Sequence, residues 1–141
     1  MKTAFFLLLL AATAVGLVSR KAATTKLTAA LNGQNEVPAN NSTATGTFTG
    51  TYDSDSKKLT YEVTYQGLTP TMGHIHRGAP GKNGGVEIGF DNAAVKTSPI
   101  KGSATLTPAK ADSLMAGLYY VNLHTQAFPG GEIRGNIAPV K

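Results

Sequence analysis

The chain has 141 residues, with 13 lysines and arginines, 8 aspartates and glutamates, 3 histidines and no cysteine. The lack of cysteine excludes a disulfide scaffold and a thiolate metal site. The formal net charge of +5 is partly carried by the first residues: without Lys2, Arg20 and Lys21 there remain 10 basic against 8 acidic side chains, a net of +2. These charges are scattered, with no basic stripe and no interleaved aromatics, so nucleic acid gains no support as a partner.

Met1-Lys2-Thr3 leads into an apolar run from Ala4 to Val18 broken only by Thr13 and Gly16. One early positive charge, an apolar core and small residues after it predict a secretory signal peptide over residues 1–23. Spanning a bilayer needs about 20 apolar residues, more than this run offers. Cleavage fits after Ala14 or later, near Ala22 or Ala23, and an uncleaved tether is the alternative. Either way residues 24–141 form a domain outside the cytoplasm, secreted, periplasmic or on the cell surface, with no membrane contact expected beyond the signal segment. About 115 residues suit one domain. Without disulfides it must rely on its apolar core, or on a metal.

Past the signal, short alternating runs are separated by Gly, Pro, Asn and Asp. Lys58 to Gln66 is the clearest: Leu59, Tyr61, Val63 and Tyr65 alternate with polar residues, as in a half-buried strand. Similar patterns predict strands over 26–32, 43–52, 71–77, 86–90, 100–107, 118–125 and 132–138. Residues 52–57 form the turn of a hairpin. One short helix interrupts the pattern, with Thr107 as N-cap, Pro108 in the first helical position, Gly117 just past the end and Leu114 facing the core. The fold expected is all-β, an antiparallel Greek-key-like sandwich or barrel of about eight strands. Two stretches look alike, each a strand ending in histidine, a Pro-Gly turn and a strand opening on Glu-Ile or Val-Glu-Ile. They hint at pseudo-symmetric hairpins.

Alternate side chains of a strand point to opposite faces. With Ile75 in the core, His74, His76 and Met72 lie on the other face. With Tyr119, Val121 and Leu123 inward, Tyr120, Asn122 and His124 lie opposite. With Ile133 and Ile137 inward, Glu132, Arg134 and Asn136 point out. The entire histidine content therefore falls on non-core faces. If these strands are neighbours, close to 5 Å apart, the three rings can share a ligand. A solvated polar face is the plainer reading.

Three imidazoles without thiolates or clustered carboxylates suit copper, with zinc as the alternative, and disfavour calcium and magnesium. Met72 is the candidate extra ligand, since a thioether favours copper; equally, it fills a gap at a sheet edge. Asn122, Glu132 and Arg134 are candidates for orienting the ligands from behind. For Glu132 and Arg134 the alternative is an ordinary cross-strand salt bridge.

Several spaced motifs resemble the chordin-type, or CHRD, domain family. They are Gly33-Gln34-Asn35-Glu36-Val37-Pro38, His74-Ile75-His76 with Gly78, Pro80, Gly81 and Gly84, then Gly117 before Tyr120-Val121-Asn122-Leu123-His124-Thr125, and Pro129-Gly130-Gly131-Glu132-Ile133-Arg134-Gly135. Together they reach from about Leu27 to Ile137. Gly73 departs from a small alanine common in the family. The resemblance implies an extracytoplasmic all-β domain, found alone in microbial secreted proteins and repeated in the animal developmental antagonist chordin, and it transfers fold and location better than a reaction. The His-x-His strand is loosely similar to that of copper/zinc superoxide dismutases, whose two-metal site needs more histidines than this chain has. Three functions follow: a copper-binding module using His74, His76 and His124; a metal-free cell-surface or matrix module docking an extracellular protein or glycan; and, last, a superoxide dismutase-like copper enzyme. No Ser-His-Asp arrangement or catalytic carboxylate pair is legible, so the reading leans away from catalysis.

Overall fold

A computed structural model describes residues 23–141. All but the last residue of the expected signal peptide lies outside the described residues. The strands are β1 (Thr24–Asn32), β2 (Thr45–Asp53), β3 (Lys58–Gln66), β4 (Met72–Arg77), β5 (Gly85–Gly89), β6 (Ile100–Thr105), β7 (Tyr119–His124) and β8 (Ile133–Pro139). Each end lies within two residues of where the hydrophobic alternation places it. The helix α1 (Pro108–Met115) is capped as expected: Thr107 accepts a hydrogen bond from the Lys110 N–H at 3.4 Å. Gly117 follows with φ 73°, the left-handed conformation that ends helices and favours glycine.

The eight strands form one antiparallel sheet in the order β5-β4-β7-β8-β1-β2-β3-β6, rolled into a nearly closed barrel. Local chemistry sets the hairpins. Asp53 accepts the N–H groups of Asp55 and Ser56 at 2.8 and 2.9 Å, which closes the β2–β3 turn as an Asx turn. The barrel interior takes the alternating apolar set, among it Phe48, Leu59, Val63, Ile75, Val121, Leu123, Ile133 and Ile137, all fully buried. Leu114 brings α1 into the same core.

The outer face differs across the molecule. On β2, Thr45, Thr47, Thr49 and Thr51 are exposed, as a one-sided strand requires. On β7 all six residues are buried. The face that alternation assigns to solvent is here roofed by three loops, residues 33–44, 78–84 and 125–131. Their main-chain and side-chain polar groups bond to the strand side chains beneath.

Leu114 is the fully buried anchor of α1. Leu114→Ala is expected to cost about 2–5 kcal/mol, the range for a leucine truncated in a core, read as a lowered urea midpoint with an unchanged m-value.

Candidate metal centre

β4 pairs with β7 in an antiparallel register that sets Met72 opposite His124, His74 opposite Asn122 and His76 opposite Tyr120. The adjacency that alternation leaves open is therefore present. It places the three histidines on one face of two neighbouring strands. One ring nitrogen from each of His74, His76 and His124 lies within 4.8 Å of the others. The ring centroids are 5.0 Å apart for His74 and His124, 5.3 Å for His74 and His76, and 6.2 Å for His76 and His124.

The hydrogen bonds assign the protons. His124 Nδ1 sits 2.9 Å from the Pro129 carbonyl, and His76 Nδ1 sits 3.1 Å from the Gly84 carbonyl. A carbonyl only accepts, so both Nδ1 atoms carry hydrogen, and each neutral ring keeps its lone pair on Nε2. The two look-alike turns thus do the same thing: each returns a main-chain carbonyl to the histidine that ends its strand. His74 Nδ1 lies 3.1 Å from His124 Nε2 and donates to it. His76 Nε2 is buried and has no hydrogen-bond partner among the described residues. A buried acceptor lone pair beside two other imidazoles is open to a metal ion or a water. Ligand nitrogens around one tetrahedral metal, each about 2.0–2.1 Å from it, lie about 3.3 Å apart. The His74 and His124 nitrogens are already 3.1 Å apart, and one nitrogen of each ring lies within 4.8 Å of the others.

All three imidazoles are held below their ordinary pKa of 6.5. For His74 the cause is burial first, then repulsion from His124 and His76. For His76 burial outweighs the Gly84 carbonyl, with His124 and Arg134 adding to the depression. For His124 burial outweighs the Pro129 carbonyl, and Arg134 again disfavours the cation. The rings are therefore neutral at pH 7, the form that binds metals.

Behind them lies a buried polar network. Tyr120 stacks on His76, planes 3° apart and centroids 4.9 Å apart, and the Arg134 guanidinium lies 4.0 Å from the Tyr120 ring centroid. The Tyr120 hydroxyl accepts the Gly84 N–H at 3.1 Å. Arg134 donates to the Lys82 carbonyl at 3.2 Å and to Asn83 Oδ1 at 2.5 Å, and its Nε lies 3.3 Å from Glu36 Oε2. That last contact is off the hydrogen-bonding line, so it is an ion pair held by charge rather than by alignment. Burial pushes the Glu36 carboxyl up, against the pull of Arg134 and the hydrogen bond from Asn122.

Asn122, Glu132 and Arg134 lie off the core face as alternation places them, but the loops cover that face and all three are buried. None of the three hydrogen-bonds an imidazole; each holds a loop. Asn122 donates to Glu36 and to the Ile133 carbonyl. Glu132 accepts from Ser42 at 2.7 Å and from Thr125 at 2.5 Å. The salt bridge on this face joins Arg134 to Glu36 across the roof. Met72 stands opposite His124 and is 39% exposed, at the rim of the group. Alternation placed Tyr120 on this face without showing its stacking. It gave Glu36 no role at all, because a loop carboxylate has no period to betray it.

Arg134→Met is expected to destabilise the protein by about 3–5 kcal/mol, since it strands a buried carboxylate at Glu36; replacing Glu36 as well, in Glu36→Gln/Arg134→Met, should recover part of that loss in a double-mutant cycle by urea denaturation. A second outcome concerns pH. The unfolded chain takes up protons near 6.5 that the three folded imidazoles refuse, so ΔG of the metal-free protein should fall as pH drops from 7 toward 5. Urea midpoints across that range check it, and a flat profile contradicts it.

Among the described residues no helix is long and apolar enough to cross a membrane. The sequence has no match among curated proteins and none among solved structures. Residues 27–137 match the family model described as CHRD domain, covering most of the chain. The motifs on β4, β7 and β8 and in the first loop lie inside that span and build the roofed histidine group, and the chain belongs to the CHRD-domain family.

Proposed function

We propose that this protein is an exported metal-binding module in which His74, His76 and His124 would hold one copper ion, with Met72 as the candidate extra ligand at the rim. The observation that carries the reading is the convergence of three neutral imidazoles, two of them locked through Nδ1 by main-chain carbonyls, with the Nε2 of His124 accepting only from His74 and the Nε2 of His76 buried without a partner. Carbonyl acceptors on Nδ1 are the usual backing of metal-binding histidines. An all-imidazole set suits copper or zinc, and a thioether beside it favours copper over zinc. Export is supported by the Ala4–Val18 run after Lys2.

In this reading Glu132 and Arg134 fix the loops that carry Pro129 and Gly84, while Asn122 ties down the first loop through Glu36. Glu132 bonds Thr125 at the head of the His124 turn, and Arg134 bonds Lys82 and Asn83 just before Gly84. Gly84 itself has no room for a side chain, because a Cβ there would lie 1.7 Å from the Arg77 carbonyl oxygen.

Titration of the purified protein with Cu(I), Cu(II) and Zn(II) tests the reading. One equivalent should bind, and at a hundredfold excess over Kd copper should add about 2.7 kcal/mol of stability, seen as a Tm rise of several degrees that a chelator reverses. His124→Ala should abolish stoichiometric binding; binding that survives it unchanged removes the three-histidine site. Gly84→Ala should weaken binding about 10–100-fold, the usual effect of disturbing a ligand's backing.

A further inference from the structure

The three imidazoles are not equivalent. His76 is fixed on two sides: its Nδ1 is bonded to the Gly84 carbonyl and its face is stacked on Tyr120. Tyr120 is held in turn by the Gly84 N–H and the Arg134 guanidinium. His124 is buried and bonded to the Pro129 carbonyl. With Nδ1 bonded to a carbonyl, each ring keeps its lone pair on Nε2, unpartnered in His76 and facing only His74 in His124. His74, half-buried like His76, differs in having no main-chain partner among the described residues, and it contacts the other rings. Its one hydrogen bond puts a proton on the nitrogen closest to His124 and occupies the His124 lone pair. To act as a ligand through that nitrogen, His74 must move its proton to Nε2 or turn its ring. The other two rings need neither. The exposed Met72 lies two residues from His74 and opposite His124 on the same face, at the rim of the group.

Building on the metal reading above, we infer that the site is a pinned pair with one exchangeable arm: His76 and His124 retain Cu(I), while His74 yields to an external nitrogen or thioether donor, so that the domain hands the ion to an acceptor. The exchange would begin as one Cu–N bond to His74 breaks while one bond to the incoming donor forms, and transfer would be complete once further donor bonds had replaced those to His76 and His124. Copper remains Cu(I), the neutral His74 ring keeps its single proton, and no electron moves.

The test uses protein loaded anaerobically with one equivalent of Cu(I) and mixed with increasing bicinchoninate, a nitrogen chelator, in a stopped-flow spectrometer. The transfer rate should rise with chelator concentration. His74→Ala should still bind one Cu(I), weakened about tenfold, whereas His76→Ala should lose about a hundredfold or more, the two ends of the range for disturbed metal sites. A rate independent of chelator, or a His74→Ala variant as impaired as His76→Ala, overturns the inference while leaving the metal site standing. Failure of the unaltered protein to bind copper overturns both. Ring 15N shifts of the unaltered protein need no variant to fold: His76 and His124 should keep the Nδ1–H bonded to its carbonyl with and without Cu(I), and only at His74 should the state of Nδ1 change. Three rings that respond alike overturn it.

Discussion

The antiparallel register between β4 and β7 decides which side chains meet in this molecule. Setting His76 opposite Tyr120 and Met72 opposite His124 puts every imidazole of the chain on one patch of sheet. A slip of one residue would turn Ile75 outward and both β4 histidines into the barrel, at the cost of burying two polar rings among Leu123, Val121 and Ile133. The core thus fixes the histidine group indirectly: Ile75 and Leu123 cannot leave the interior, so their neighbours must lie outside it. The β4–β5 pairing carries a register shift between Ile75 and His76, a bulge beside the group that lets the Gly78–Gly84 loop fold back over its own strand.

That return is possible because β7 is central. With β4 on one side and β8 on the other, its outer face can be covered from both directions, and the covering loops bring their own polar groups. Tyr120, Asn122 and Arg134 would be costly to bury alone, and each is matched: a hydroxyl with an amide, an amide with a carboxylate and a carbonyl, a guanidinium with a carbonyl, an amide oxygen and an acid. The Arg134 and Glu36 pair is a device for ordering two loops at once. Its net stabilisation is small, since desolvation of Glu36 offsets much of the attraction.

The barrel was legible in the sequence because its strands alternate cleanly and its helix announces both ends, at Thr107-Pro108 and at Gly117. The direction of His74, His76 and His124 followed from the same period-two rule. The rule leaves the burial of Asn122, Glu132 and Arg134 unread for a physical reason: alternation separates the core face from the other face, but it does not say whether loops cover that other face. A loop has no period. What it had instead was turn chemistry, and the two Pro-Gly turns did carry the signal, since each returns a carbonyl to a histidine. Glu36 stayed silent because a single carboxylate eighty-six residues from its Asn122 partner leaves no local mark.

The electrostatics of the patch then bear on what it can hold. The three imidazoles resist protonation first because burial disfavours the charged form, and then because His74 is repelled by the other two rings, His76 by His124 and Arg134, and His124 by Arg134. The same positive guanidinium would oppose a metal ion, yet it is pinned to the carboxylate of Glu36 and separated from His76 by the Tyr120 ring. Its field at the imidazoles is therefore partly neutralised, while its fork still ties down the loop that holds His76. Arg134 thus positions the group without contributing an uncompensated charge to it, and the lone pairs it helps to aim remain the strongest unmatched feature of this face.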